Sequence, residues 1–465
     1  MVDWHADPGP RLFPHGLPAF ADTLDLPLML YTPFFSEHFN WTGYEAGVPV
    51  GGTGINMQAD QRLPTAASSR RFYGDLFDLG TRESNGRFVA YEMDFLGANF
   101  RRYPLFFSSM DAADVWFAGM ADAALERNLS VQYCLPSPTD MLVSLRFPAV
   151  TQGRASGDYG FATSADGRDE NVATLGGSSL LFGATGIAPS KDTLWTNGTQ
   201  PGSVKWTGVP YSSQPHVVLD AVLATLSLGP VGISDAFNWT DQGLIGQAFR
   251  SAGDGTLLRP SRPLSSVDSE LSNISRGKPT HAVRGTHSAI PIVRAGGGSQ
   301  AELVTHYVVS FGTQPAITIP RADLFPAVDP RAAARLGTRA HVFDPGAQTE
   351  GCTAGGTAVH GCMRTLPVDA PLVLPATSGT EVNLISVHTP LPNGAYLLGE
   401  LSKFVHVAPQ RFASLALDGH GPCGFVANVL GSPGEVVEVV AVDPGGKTRV
   451  ATARVPAAGV VAVEL

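Results

Sequence analysis

The sequence is poor in charged residues and has no long apolar run. Charged residues make up 15% of its 465 residues, and the net charge is −10. A nucleic-acid partner would require a basic face, which this charge balance disfavours. No apolar run approaches the ~18–20 residues of a membrane-spanning helix. We therefore expect neither a nucleic-acid partner nor a membrane span.

Cysteine is also scarce, with four residues in the chain. Cys352 and Cys362 bracket a glycine-rich loop and could form a local disulfide. Cys134 lies in a predicted core strand and is expected to be a buried free thiol, whereas Cys423 has no partner that the sequence suggests. The N-terminus lacks the basic start and apolar core of a signal peptide. Asn-x-Ser/Thr sequons favour a secretory route, although such triplets also arise by chance; they occur at Asn40, Asn128, Asn197, Asn238 and Asn273.

Several catalytic signatures are missing. Gly51, Gly52 and Gly54 are not followed by a helix that carries Lys-Ser/Thr, which excludes a P-loop. The Gly-x-Ser-x-Gly elbow of serine hydrolases does not occur. No His/Cys group has the spacing of metal ligands. The sequence thus predicts no metal and no other cofactor.

Glycine and proline are plentiful, with 52 and 36 residues, which favours many loops and short strands. Up to about residue 265, short apolar runs end in polar or glycine-containing loops, and most are followed by a helix-like segment. The run at residues 88–95 is the clearest and reaches the acid Asp94 near its end. This alternation predicts a parallel sheet with helical crossovers, which we interpret as a (β/α)8 TIM-type barrel. An acid at the carboxyl end of a barrel strand lies on the catalytic face, although any strand can be followed by a loop acid.

The pattern changes near residue 265, and strand-like alternation dominates from residue 281 onward. We therefore predict a barrel domain at residues 1–265 and an all-β sandwich region, in one or two parts, at 280–465. In the barrel part, strands are predicted at residues 26–35, 88–95, 129–135, 148–154 and 228–235. Helices are predicted there at residues 16–25, 66–84, 111–126, 139–145, 215–226 and 241–249.

Ordered motifs in the barrel part resemble those of the α-galactosidase and raffinose-synthase group, clan D of the glycoside hydrolases. Phe13-Pro-His-Gly-Leu17, followed by residues 26–31, is similar to a helix and the third barrel strand of that family. Residues 227–235 and 257–263 resemble the eighth strand and the barrel exit. Because the first recognisable strand corresponds to the third of the family, we expect the chain to lack the first two barrel strands, as a fragment would.

The same resemblance suggests catalytic residues. Glu92-Met-Asp94 stands where the family has Lys-x-Asp, which implies that Asp94 is a nucleophile. Arg154-Ala-Ser-Gly-Asp158 resembles Arg-x-x-Asp-Asp, which implies that Asp158 is the general acid/base. Retention requires such a pair about 5–5.5 Å apart, one attacking the anomeric carbon and the other protonating the leaving oxygen. Gln132-Tyr-Cys134 resembles the fifth strand of the family. The implied substrate is an α-linked carbohydrate.

Other residues at predicted strand ends are candidate substrate contacts: Glu92, Cys134, Arg154, Lys191, Trp195 and Asp235. Trp41, Trp206 and Trp239 also lie in predicted loops and could stack on sugar rings, although core or loop packing explains a single tryptophan equally well. Arg154 could equally be structural and Lys191 or Asp235 merely solvated.

Two departures from the family pattern concern the substrate more than the mechanism. Glu92 replaces the family lysine, and Gly157 replaces the first aspartate of the acid motif. Alternatives to hydrolysis are a transglycosidase of the raffinose-synthase type and an inactive carbohydrate-binding or structural homologue. The sequence leaves the sugar, the oligomeric state and the cellular compartment open.

Overall fold

The computed structural model describes residues 13–465, apart from 33, 51–60, 98–101, 160–169, 205–209, 252–254, 276–281, 294–298, 313–315, 321–322, 324–338, 345–361, 368–369, 378–381 and 418–419. The chain forms two compact units. Unit 1 comprises Met1–Ala155 with Leu181–Pro189, and unit 2 comprises Ser156–Leu180 with Ser190–Leu465. Cys352 and Trp206 lie outside the described residues, so the predicted disulfide and the stacking of that tryptophan stay predictions. No helix in the described ranges is long and apolar enough to cross a membrane.

The first part of the chain alternates strands and helices. The strands are β1 (Leu28–Tyr31), β2 (Phe35–Ser36), β3 (Ala46–Gly47), β4 (Gln61–Pro64), β5 (Phe88–Met93), β6 (Ser130–Tyr133), β7 (Val150–Arg154) and β8 (Ala188–Ser190). The helices are α1 (Gly16–Leu24), α2 (Ala66–Glu83), α3 (Ala112–Leu125), α4 (Pro138–Ser144) and α5 (Glu170–Ala184), with a 3₁₀ turn at Pro104–Phe107.

A five-stranded sheet runs in the order β1-β5-β6-β7-β8, and its first four strands pair in parallel. The predicted parallel α/β architecture is therefore confirmed. The described strands do not form a closed ring, and the full barrel stays a prediction. The segment expected to be a strand at 228–235 makes only an isolated parallel bridge, between Ile233 and Leu194.

One face of the parallel sheet is covered by α2 and α3. Tyr91 on β5 packs against Phe77 of α2, with ring centroids 5.0 Å apart. Each fully buried aromatic side chain of this layer stabilises the fold by about 1.5–3 kcal/mol. At the helix crossing, a Cβ on Gly119 would lie 2.0 Å from Ser69 Oγ and 2.7 Å from the backbone nitrogen of Arg70. Only glycine permits this close approach of α3 to α2.

The opposite face of the sheet, here called the inner face, carries polar side chains. The strand register aligns Tyr31, Glu92, Gln132 and Gln152 in one row across four strands. The Gln152 amide nitrogen lies 4.0 Å from the sulfur of Met29, although three strand spacings of about 4.8 Å separate β7 from β1. The side chains meet because the inner face is concave. Curvature of this kind brings the carboxyl ends of different strands toward one another.

The remaining elements belong to unit 2. The strands are β9 (Thr199–Val204), β10 (Pro210–Ser213), β11 (Ser265–Ser266), β12 (Ala282–Val293), β13 (Ser299–Phe311), β14 (Ile317–Ile319), β15 (Arg339–Asp344), β16 (Cys362–Pro367), β17 (Leu372–Leu374), β18 (Val382–His388), β19 (Tyr396–Gly399), β20 (Phe412–Ala416), β21 (Val426–Leu430), β22 (Val436–Val442), β23 (Thr448–Arg454) and β24 (Val460–Glu464). The helices are α6 (Val217–Leu226), α7 (Gln242–Gly246) and α8 (Asp268–Ser275).

The β-rich part of unit 2 is built on a nine-stranded sheet. Its strands follow the order β16-β15-β18-β13-β12-β20-β21-β24, and β11 pairs with β12. A three-stranded sheet, β19-β22-β23, supplies the second layer. Buried side chains from both sheets share one apolar cluster, including Leu303, Phe412, Val429 and Val439. The predicted C-terminal β-rich region is confirmed, whereas the domain boundary near residue 265 stays a prediction.

We expect acid to destabilise unit 2 through His306. This buried ring on β13 lies 5.6 Å from the ring of His287 on β12. Burial, with a smaller contribution from His287, lowers the pKa of His306 to about 3. The unfolded chain binds a proton here near pH 6.5 and the folded chain does not. Stability is therefore complete above pH 6.5 and falls toward pH 3, by up to about 4 kcal/mol.

Urea unfolding between pH 7 and pH 4 checks this expectation. His306→Gln should flatten the dependence of stability on pH, because the glutamine does not titrate. His420→Gln, at an exposed position, is the matched control and should keep the parental slope. Equal slopes in the His306 variant and the parent would contradict the prediction.

Candidate active-site residues

Asp94 lies directly after β5, on the inner face of the sheet. It continues the alternation of Ala90 and Glu92, and its side chain is buried. The hydroxyl of Tyr31, from the end of β1, donates a hydrogen bond to Asp94 Oδ2 at 2.9 Å. The backbone N–H of Phe95 donates to Asp94 Oδ1 at 2.6 Å. The carboxylate is thus held by donors from two neighbouring strands.

Cys134 occupies the equivalent position after β6. Its buried thiol is free, as predicted, and hydrogen-bonds to Asp94. Burial is the main cause that raises the pKa of Cys134; Asp94 and Glu92 raise it further, and Arg154 partly offsets the rise. Cys134 therefore stays a neutral thiol that donates to the carboxylate, and it has none of the thiolate character of a catalytic cysteine.

Tyr31 is likewise kept protonated. Burial, and then the charge and hydrogen bond of Asp94, raise the pKa of its hydroxyl. A phenol that cannot ionise at neutral pH is a permanent donor to the carboxylate. Charge interactions with Cys134 place Glu92 and Arg154 in the same neighbourhood. We refer to Tyr31, Glu92, Asp94, Cys134 and Arg154 as the Asp94 cluster.

The backbone is strained next to two members of this cluster. Phe95 follows Asp94 with φ 56°, and Leu135 follows Cys134 with φ 46°. Left-handed conformations cost non-glycine residues roughly 1–2 kcal/mol each. These strained residues let the chain turn sharply after β5 and after β6. The two turns directly follow Asp94 and Cys134, whose side chains hydrogen-bond to each other. Strain of this kind concentrates at functional sites.

Asp158 lies in unit 2, and its side chain is exposed. The next residue anchors its loop: the N–H of Tyr159 donates to Asp192 Oδ2 at 2.7 Å. The Tyr159 hydroxyl accepts the N–H of Trp195 at 3.1 Å. Lys191 Nζ lies 4.6 Å from the centroid of the Tyr159 ring. The single segment 191–195 therefore holds the residue beside Asp158.

Lys191 is turned toward the protein interior. Its side chain is fully buried, 3.4 Å from an equally buried carboxylate oxygen of Asp220, and its Nζ donates to the carbonyl oxygen of Thr193 at 3.2 Å. These contacts make it a support for the ring of Tyr159. Its predicted contact with a sugar would require that burial to change.

Asp235 is also engaged within unit 2. Its Oδ1 accepts the N–H of Thr196 at 2.8 Å and an amide hydrogen of Gln200 at 2.9 Å, and its Oδ2 accepts the Thr196 hydroxyl. Asp235 therefore joins its own loop to the segment that follows Trp195. A sugar would have to share this carboxylate with Thr196 and Gln200.

The tryptophans differ in exposure. Trp195 is buried, and Trp41 stacks on Phe72 with ring centroids 5.4 Å apart. Trp239 is 40% exposed. Of the candidate stacking residues that the structure describes, Trp41, Trp195 and Trp239, the last has the most exposed side chain.

The site residues predicted from the sequence fall into two groups, one in each unit. Unit 1 brings together Glu92, Asp94, Cys134 and Arg154, and unit 2 connects Lys191 and Trp195 with the loop of Asp158. The sequence did not assign roles to Tyr31 and Tyr159, because their contacts depend on pairing between distant segments. Within the same described ranges, no group of three or more His, Cys, Asp or Glu residues is arranged to hold a metal ion.

Comparisons with known proteins give distant structural likeness only. No family model and no curated protein matches the sequence. A glycoside hydrolase family 97 enzyme from Pseudoalteromonas sp. strain K8 is 12% identical, covers 70% of this chain and 45% of its own, and has a TM-score of 0.36. A family 36 α-galactosidase from Geobacillus stearothermophilus is 10% identical. It covers 83% of this chain and 48% of its own, with a TM-score of 0.45.

An α-galactosidase from Lactobacillus brevis is 12% identical over 84% of this chain and 48% of its own, with a TM-score of 0.44. The chain thus spans about half the length of the solved structures that it matches. At these identities and scores, the likeness assigns neither an activity nor a substrate to the chain.

Proposed function

We propose that the chain carries the active site of a retaining hydrolase of α-linked sugars, with Asp94 as nucleophile and Asp158 as general acid/base. The observation that carries the proposal is the position of Asp94. Its carboxylate lies at the carboxyl end of a parallel strand, on the concave face, and accepts hydrogen bonds from Tyr31 and Cys134. We further propose that the parallel sheet belongs to a TIM-type barrel, where strand ends carry the chemistry.

The reaction takes two displacements. A carboxylate oxygen of Asp94 attacks the anomeric carbon while the carboxylic acid of Asp158 gives its proton to the leaving oxygen. The bond to the leaving sugar breaks and a glycosyl ester forms on Asp94. Asp158, now a carboxylate, removes a proton from a water molecule, whose oxygen attacks the anomeric carbon and releases Asp94. Two inversions give net retention.

The neighbours of Asp94 suit a nucleophile. Tyr31 and Cys134 are neutral donors, so they orient the carboxylate without placing a full positive charge against it. Arg154 supplies a cation in the same cluster. Asp158 follows Arg154 by four residues, and chain geometry alone keeps their Cα atoms within about 14 Å. The proposal requires both acids to serve one substrate.

The substrate contacts in this proposal come from Glu92, Cys134 and Arg154. The carboxylate of Glu92 accepts hydrogen bonds, whereas the lysine at this position in the family that the chain resembles donates them. Glu92 would therefore accept a hydrogen bond from a sugar hydroxyl. Arg154 offers several donors in a fixed geometry to hydroxyl oxygens. This set favours a neutral sugar over an acidic one, because Glu92 and Asp94 would repel a second carboxylate.

The proposal is tested by product stereochemistry and by Asp158→Ala. NMR of the fresh product should show the α-anomer. The variant should lose about 10²–10⁴-fold in kcat/KM on an α-linked disaccharide, which needs protonation of the leaving group. It should lose much less on a 2,4-dinitrophenyl α-glycoside, whose leaving group departs as an anion.

Glu438→Gln, an exposed acid of the same unit, is the matched control. A β-anomer as first product, or equal losses on both substrates, would contradict the proposed roles.

A transglycosidase would show transfer to an added sugar acceptor outpacing hydrolysis. The replacement of the family lysine by Glu92 favours a second candidate, a sugar-binding protein without turnover, which would bind the disaccharide and cleave neither substrate.

A further inference from the structure

The loop after Asp235 presents two aromatic rings to solvent. Phe237 is 90% exposed and Trp239 is 40% exposed. Neither ring stacks on another aromatic ring within the described part of the chain. Both rings are exposed on one loop, and it is contiguous exposed apolar surface that marks binding sites.

This loop is held firmly at both ends. On one side, Asp235 is bonded to Thr196, and the N–H of Ala236 donates to Gln200 Oε1 at 2.9 Å. On the other side, the N–H of Asp241 donates to the Thr196 hydroxyl at 2.7 Å. Thr196 therefore joins the two ends of the loop, and the rings are displayed on a fixed backbone.

The centre of the loop is shaped to expose side chains. Asn238 has φ 68°, a left-handed conformation between the two aromatic residues, and the N–H of Trp239 closes a turn on the carbonyl oxygen of Ala236 at 3.0 Å. A fixed aromatic ring loses little conformational entropy when it binds. The flat, apolar face of a pyranose ring fits such a surface, and its hydroxyl groups remain in water at the edge.

The loop also lies in one hydrogen-bonded group with the segment that carries Asp158. Asp235 bonds to Thr196, the neighbour of Trp195, and the N–H of Trp195 bonds to the hydroxyl of Tyr159, the neighbour of Asp158. All of these residues belong to unit 2. A general acid acts at the oxygen of the leaving group, and these contacts connect the loop with the segment of Asp158, which favours a leaving sugar as the occupant of the rings.

We propose that Phe237 and Trp239 form a subsite that stacks on a leaving-group pyranose of a neutral α-linked oligosaccharide. This inference rests on the proposed function, because it takes Asp158 as the acid. It predicts a preference for oligosaccharides over short aryl glycosides. The subsite affects binding and takes no part in bond breaking.

Binding is measured first, in an Asp94→Asn background so that no substrate is consumed. Calorimetric titration uses panose, raffinose and stachyose as probes. Phe237→Ala and Trp239→Ala should each weaken the Kd of the best probe by about three- to tenfold. The matched control is Phe107→Ala, because Phe107 is also an exposed phenylalanine, at 70%. This variant should leave the Kd unchanged. Both loop side chains are exposed, so folding should not be affected.

Kinetics supply the second measurement, with Asp94 intact. The two loop variants should lose kcat/KM on the oligosaccharide that binds best, mainly through KM, and keep the parental values on a 4-nitrophenyl α-glycoside. If the chain hydrolyses nothing but the loop variants still weaken sugar binding, the subsite stands and the proposed hydrolase fails. An unchanged Kd in both variants, or no binding of any probe by the parent, would overturn the subsite. A changed oligomeric state in size-exclusion chromatography, with sugar affinity unaltered, would assign the rings to self-association instead.

Discussion

Asp94→Asn is expected to lower kcat on every α-glycoside that the parent hydrolyses by on the order of 10⁴-fold. The amide is nearly isosteric with the carboxylate, and its oxygen can still accept the N–H of Phe95 or the hydroxyl of Tyr31. It cannot form the glycosyl ester, because a neutral amide is a poor nucleophile. Circular dichroism and the urea midpoint should show that the fold is retained.

The nucleophile can be replaced from solution. Sodium azide should restore turnover of an activated aryl glycoside by Asp94→Gly, which leaves room for the anion, and give the glycosyl azide of the opposite anomeric configuration. Asp25→Asn is the matched control. Asp25 is exposed at the end of α1 with φ 52°, a conformation that asparagine also tolerates, and its substitution should leave kcat unchanged. Activity of the Asp94 variant within about tenfold of the parent would remove Asp94 from the mechanism.

Arg411→Met should destabilise unit 2 by roughly 3–5 kcal/mol. The guanidinium is fully buried and bonds to Glu400 and Glu435 at 2.7 and 2.6 Å. It also donates to the carbonyl oxygens of Leu430 and Arg250. Methionine would leave two carboxylates without their common cation. Burial raises the pKa of Glu400, and the charges of Arg411 and Lys403 partly offset that rise.

Urea unfolding at pH 7 measures the loss through the midpoint, with an unchanged m-value. Arg454→Met, at an exposed position on β23, should cost no more than about 0.5 kcal/mol. Adding Glu400→Gln and Glu435→Gln to the Arg411 variant should recover part of the lost stability, because the uncompensated charges are then absent. A loss below about 1 kcal/mol for Arg411→Met would show that the network contributes little.

The sequence predicted β1, β5, β6 and β7 of the parallel sheet, because polar or glycine-containing turns bound these short segments, but it did not predict β8, which has three residues. It also predicted that Asp94 follows a strand, since the acid interrupts the run. It could not predict the contact with Tyr31. That contact depends on β1 pairing with β5, and strand order is a property of the folded sheet that local patterns do not contain.

Two local misreadings have physical causes. The segment 228–235 was expected to be a strand, but Pro230 has no N–H for a ladder and Leu228 adopts φ 76°, so only the bridge at Ile233 forms. Helix α5 was not predicted, because its glycines and serines have low helix propensity.

The sequence separation between paired strands differs between the two sheets, and this difference has a consequence for the order of folding. In β12 and β13 the paired residues are close in sequence, with Val293 opposite Ser299, so the long hairpin closes a short loop. In the parallel sheet, Leu28 must find Phe88, and Ala90 must find Ser130, across entire helices. Such distant pairings pay a larger loop-closure entropy before any contact is gained. We therefore expect the hairpin to gain hydrogen-exchange protection during refolding well before the strands that position Asp94.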